Sequence, residues 1–86
     1  MEKTPISEVW PMQDGVLQII FETGSTAVVN LKSKFETIRF CPLQEETVWK
    51  SAETDGNFVR WYRNGFQVVE VACDELLGMI VGRSYY

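Results

Sequence analysis

Few side chains in this sequence could do chemistry, and the commonest catalytic one is missing. There is no histidine, so neither a Cys-His nor a Ser-His pair can be assembled, and a nucleophile would need a lysine or carboxylate as its base. The thiols are Cys41 and Cys73. They lie far apart and flank no CxxC motif, so zinc-ribbon and thioredoxin-like readings have no support, and both are expected to be reduced, buried small hydrophobes. A disulfide between them would need their Cα atoms within about 6 Å. Carboxylate pairs occur at Glu45-Glu46 and Asp74-Glu75, a residue type suited to metal binding or acid–base work. Each pair falls at an expected helix start, where acidic residues stabilise the local dipole without further role. No dinucleotide-binding, P-loop, HExxH or EF-hand pattern occurs. We therefore assign no catalytic residue, no cofactor and no metal ligand.

The aromatic and arginine side chains remain. Arg60, Tyr62 and Arg63 surround Trp61, a mixture that serves nucleic-acid stacking and protein hot spots alike. On a strand, Trp61 shares a face with Val59 and belongs to the core, while Arg60 and Tyr62 point the other way. Trp10 lies opposite Val9, and Trp49 sits on a short amphipathic segment. Trp10 and Trp49, exposed together with the terminal tyrosines, would form an apolar patch of the kind that marks a partner interface. Trp10, Trp49, Arg60, Tyr62 and Arg63 are accordingly the candidate protein-interface residues.

The elements that must position these groups follow from hydrophobic period and turn chemistry. A first strand is expected over 6–11 and a turn at Gln13-Asp14-Gly15. Residues 16–21 alternate through Leu17, Ile19 and Phe21, the pattern of a half-buried strand. Gly24 breaks that pattern and alternation resumes over 26–31, which makes a hairpin. Residues 32–42 fit neither period and read as irregular, with room for one helical turn. Residues 44–52 contain good helix formers, with Val48, Trp49 and Ala52 facing inward. Asp55-Gly56-Asn57 marks a turn, and Asn64-Gly65 joins strands at 58–62 and 66–71 in a second hairpin. A last helix begins near Cys73-Asp74-Glu75, capped by Asp74, runs through Leu76, Leu77 and Ile80, and ends at Gly82. Residues 83–86 read as a tail. The fold class is thus α+β: a small antiparallel sheet of two hairpins plus an N-terminal strand, with two short helices packed on it.

Composition supports one domain over residues 1–86 with its core at about 6–80. The chain is 45% hydrophobic and 23% charged, values at which a core of this size can form. Its net charge of −4 argues against nucleic acid as a direct partner, because phosphate neutralisation supplies most of that affinity. The apolar runs are only a few residues long, whereas a membrane-spanning helix needs roughly 20. The first residues offer no basic region followed by an apolar run, so the cytoplasm is the expected compartment.

The order of elements and several residues resemble a family of short bacterial proteins known as domain of unknown function 2442. The resemblance runs over about residues 6–80. It rests on Val9 and Pro11, Phe21-Glu22 before Gly24, Leu31, Phe40 and Leu43, Val48-Trp49, Val59-x-Trp61, Asn64-Gly65, and Asp74-Glu75-Leu76-Leu77. These are turn and core residues, so the resemblance implies a fold more than an activity. The family commonly places a proline, and often an acidic residue, around the Asn-Gly turn, where this chain has Tyr62-Arg63 and Gln67. Some members are joined to a helix-turn-helix domain and others sit beside small toxin-like proteins, which implies a regulatory role. This chain is expected to have no space for a DNA-reading helix pair after the domain.

The expected function is a non-enzymatic protein-binding or regulatory module whose partner is another protein or a second copy in a homodimer, engaged through a sheet edge or aromatic patch. The alternative is an antitoxin-like or transcription-associated component of a two-protein system. An enzyme of unrecognised type stands last, because no nucleophile has a base at a productive spacing.

Overall fold

The computed structural model describes the backbone of residues 5–84 and the side chains of residues 5–79. Alternation of apolar and polar residues gives three strands at the N-terminal end: β1 (Ile6–Pro11), β2 (Val16–Phe21) and β3 (Thr26–Asn30). They pair antiparallel in the order β1-β2-β3. Ser7 is the extra residue of a bulge, since the register shifts between Ile6, opposite Phe21, and Glu8, opposite Ile20. The bulge places Ile6 and Val9 on the core side and Glu8 and Trp10 on the outer side.

A second antiparallel sheet contains β4 (Glu53–Thr54), β5 (Phe58–Arg63) and β6 (Phe66–Ala72), in that order. Asn64 and Gly65 both take positive φ, 54° and 84°, the conformation of a two-residue turn that matches the twist of the flanking strands. The helices are α1 (Glu46–Trp49), a single turn, and α2 (Cys73–Ser84). The result is a small α+β fold with two antiparallel three-stranded sheets.

The sheets share one core because their edges meet. β1 lies against β4, and the Ile6 N–H donates to the Gly56 carbonyl at 2.9 Å. At the other side α2 touches both β3 and β6. The strands therefore wrap in the order β3-β2-β1-β4-β5-β6, with α2 against both outer edges. Leu17, Ile19, Leu31, Leu43, Val59, Trp61, Val71 and Leu76 are fully buried inside, each worth about 1.5–3 kcal/mol where a large side chain leaves water. Among the described residues no polar or charged residue is buried.

Four sequence expectations change. The helix expected over 44–52 shrinks to Glu46–Trp49, because Cys41–Gln44 forms a 3₁₀ turn started by Pro42 and Glu53–Thr54 leaves to pair with β5. The Ser51 hydroxyl donates to Val48 O at 2.6 Å and accepts the Tyr62 N–H at 2.8 Å, anchoring the chain as it turns from helix to strand. α2 passes through Gly82, so residues 83 and 84 are helical; glycine costs a helix about 1 kcal/mol relative to alanine without forbidding it. Residues 85 and 86 and the Ile80 side chain lie outside those described. The start of α2 is bonded by Glu75, whose Oε1 accepts the Ala72 N–H at 3.0 Å, the backward half of a capping box. Cys41 is exposed and only Cys73 is buried.

Candidate protein interface

The central rows of the two sheets differ in kind. On the second sheet, Glu53, Arg60 and Glu70 lie directly opposite one another across the three strands. The Arg60 guanidinium donates to Glu70 at 2.7 Å and to Asp55 at 2.9 Å, and also sits 5.2 Å from the Phe58 ring centroid. Backbone N–H groups of Asn57 and Phe58, together with Arg60, hold the Asp55 carboxyl down at about 2. The row is a charge ladder in which Arg60 is partnered by Glu70 and Asp55.

The equivalent row on the first sheet is Trp10, Gln18 and Val28, again directly opposite across three strands. Trp10 is 52% exposed and Val28 61%. The rows beside it place Glu8 opposite Ile20 and Thr26, and Val16 opposite Asn30. Among the described residues of these three strands Glu8 is the only charged one on this face, and its carboxylate accepts the Trp10 indole N–H at 2.8 Å. An outward sheet surface that carries apolar groups in place of charges is the feature that marks a contact site.

The five residues singled out from sequence do not assemble into one patch. Trp10 stands on the outer face of the first sheet. Trp49 is a correction, because it is 7% exposed and part of the core; its indole N–H donates to Met12 O at 2.8 Å. Arg60 belongs to the charge ladder, Tyr62 is half-buried, and Arg63 is paired with Glu45 at the start of α1. The patch imagined from Trp10, Trp49 and the terminal tyrosines therefore does not form around Trp49, and Tyr85 and Tyr86 lie outside the described residues. Sequence reasoning missed Gln18 and Val28. The usable signal was Val28 itself, an apolar residue at the outward position between the inward Ala27 and Val29.

A groove of about 770 Å³ opens where the 13–15 turn meets α1, with Met12, Phe35, Leu43 and Trp49 among its lining. Part of its polar lining is turned on itself: Gln44 donates to Phe35 O at 2.6 Å, Trp49 to Met12 O, and Lys50 pairs with Glu46. Gln13, Asp14 and Lys32 also line it.

Elsewhere, Arg39 ties the 35–40 segment to the start of α2. Its guanidinium donates to both oxygens of Glu75, at 2.7 and 2.8 Å, and to Glu70 O at 2.8 Å. Glu75 is held down at about 2, first by Arg39 and then by the Ala72 N–H. No helix among the described residues is long and apolar enough to cross a membrane. Among them, too, no group of three or more acidic or cysteine side chains is placed to hold a metal ion. No protein-family model, curated protein or solved structure matches the chain.

Proposed function

We propose that this chain is a non-enzymatic protein-binding module that acts through the outward face of its first sheet. The observation that carries the reading is the row Trp10–Gln18–Val28, which leaves two apolar side chains in water on a surface where Glu8 is the one charge among the described strand residues. Covering such a face removes apolar area from water at about 25 cal/mol per Å² and touches a single carboxylate, that of Glu8, which keeps the Trp10 N–H as its partner. The carboxyls with displaced pKa, Asp55 and Glu75, lie low and are held by arginines, the reverse of what a general acid at neutral pH requires. The resemblance to domain of unknown function 2442 supports a regulatory setting for such a module.

The test is capture by the tagged protein from its native lysate, with an untagged copy of the chain added, compared with a Trp10→Ala, Val28→Glu double variant. A stoichiometric protein held by the wild type and lost by the folded double variant is the expected result. Capture of nothing by the wild type, or equal capture by both, would overturn the reading.

A further inference from the structure

We propose that the partner of this face is a second copy of the same chain, packed sheet to sheet about a two-fold axis that runs along β2. The proposal rests on the protein-binding reading above and names its partner.

The argument begins with charge. Two molecules of net charge −4 repel, and a symmetric contact brings each surface group toward a copied surface, so a self-associating face must avoid like charges in apposition. Among the described residues of its three strands, the outward face of the first sheet carries only Glu8 as a charge. The outward face of the second sheet, with Glu53, Arg60 and Glu70 in a row, carries two acids for each base along that row. Of the two sheet surfaces, the first is the one that can meet its own copy.

The register then makes the contact reciprocal. A two-fold axis along the central strand exchanges the outer strands and leaves the central one facing itself. Trp10 is set over the partner's Val28, and Val28 over the partner's Trp10, so each indole covers a small β-branched side chain. Gln18 faces the partner's Gln18 on the axis. A carboxamide has both a donor and an acceptor end, so two of them about a two-fold form a reciprocal hydrogen-bonded pair. Ile20 faces the partner's Ile20. Glu8 is set over the partner's Thr26, about two strand spacings, or roughly 10 Å, from its own copy. Stacked sheets lie about 10 Å apart, a spacing that side chains from the two facing rows fill.

The size of the face sets the strength. Three strands about 4.8 Å apart and five residues of about 3.4 Å give a footprint on the order of 15 × 17 Å. Stable dimers bury about 800 Å² per partner. The association is therefore weak and reversible, with the dissociation constant in the micromolar range or above.

The experiment is sedimentation velocity and amide chemical-shift mapping of the full chain over about 10 μM to about 1 mM, with the variants Gln18→Glu and Gln18→Lys. Expected are a mass that climbs from monomer toward dimer and concentration-dependent shifts at Trp10, Gln18, Ile20 and Val28. Added salt should tighten the dimer by screening the repulsion between two acidic chains, where a charge-matched foreign partner would be released. Each variant alone should weaken the dimer by at least about tenfold, because like charges meet on the axis, and an equimolar mixture should restore it. Amide spectra of the monomeric variants verify that they remain folded. A chain monomeric throughout, or a dimer indifferent to both variants, overturns the proposal. If the chain stays monomeric yet captures another protein in a Trp10- and Val28-dependent manner, the self-partner falls and the protein-binding reading stands; if neither occurs, both fall.

Discussion

Trp49 lies nearly flat against Trp61, with ring centroids 5.9 Å apart and planes inclined by 13°. The Trp61 indole N–H donates to the Trp49 carbonyl at 3.2 Å, and Phe35 meets Trp49 edge-on at 5.5 Å. This stack joins α1 to the floor of the second sheet. Trp61→Ala is expected to cost about 3–5 kcal/mol of stability, the range for a large aromatic removed from a packed core. Trp49→Phe should lose about 1 kcal/mol from the bond to Met12 O alone, with packing loss added. Trp10→Ala should stay within about 0.5 kcal/mol, because its ring is in water. Urea denaturation followed by far-ultraviolet circular dichroism measures all three, and a Trp61→Ala protein as stable as the wild type would remove the stack from the account of the fold.

How much of this was legible in the sequence depends on whether a segment is governed by its own pattern or by a distant partner. β1, β2 and the Asn64-Gly65 hairpin follow from alternation and from residues that accept positive φ, which are local properties. The segment 44–52 carries helix formers, yet the helix stops at Trp49, since just beyond the segment Glu53 and Thr54 pair with Arg60 and Val59 across the sheet, and pairing overrides propensity. Residue type alone places Cys41 in the core. It is exposed because the 3₁₀ turn at Cys41–Gln44 sends Leu43 inward in its place. For the candidate interface, Trp10 could be found from its position opposite Val9. That Gln18 and Val28 complete its row could not, because a row across strands depends on register, and here the register carries a bulge at Ser7.

The Arg39–Glu75 pair makes stability depend on pH in the acid range. Glu75 is held at about 2 against an ordinary value of 4.5, so its charged form favours the folded state. That contribution is complete above the ordinary value and is lost as pH falls from about 4.5 through about 2. Asp55 acts in the same direction. The melting temperature should fall between pH 5 and pH 2, by less in high salt because both carboxylates are partly exposed. Glu75→Gln should lower stability at neutral pH and flatten the acid decline. Its effect should also be non-additive with Arg39→Met. An acid decline unchanged by Glu75→Gln would show that the pair is not its source.

Gly15 is fixed by a close approach as well as by its backbone. It has φ +73°, and an added Cβ would lie 2.8 Å from Lys32 Cβ and 2.9 Å from Lys32 Cα. The Leu31 N–H donates to the Gly15 carbonyl at 2.8 Å, so backbone cannot move apart without breaking that bond. Gly24 has φ +93° with open space around it. Gly24→Ala should therefore cost about 1 kcal/mol of backbone strain, and Gly15→Ala at least about 2. Equal losses on thermal unfolding would mean that the 13–15 turn yields to Lys32 more easily than its hydrogen bond suggests.

The two thiols report on different parts of the fold. Cys41 is exposed on its 3₁₀ turn, with its Sγ 3.4 Å from the Ile38 carbonyl. Cys73 is 4% exposed at the start of α2, and its N–H donates to Asn57 O at 2.8 Å. A thiol-specific reagent should therefore label one cysteine per native chain quickly, and mass spectrometry of the digest should place it at Cys41. Cys73 should react only at the rate at which α2 opens from the core, and urea should raise that rate in step with unfolding. Because α2 closes the gap between β3 and β6, labelling of Cys73 ahead of global unfolding would show that the helix detaches as a unit while both sheets persist. Loss of the second thiol together with the circular dichroism signal would show that helix and sheets unfold as one.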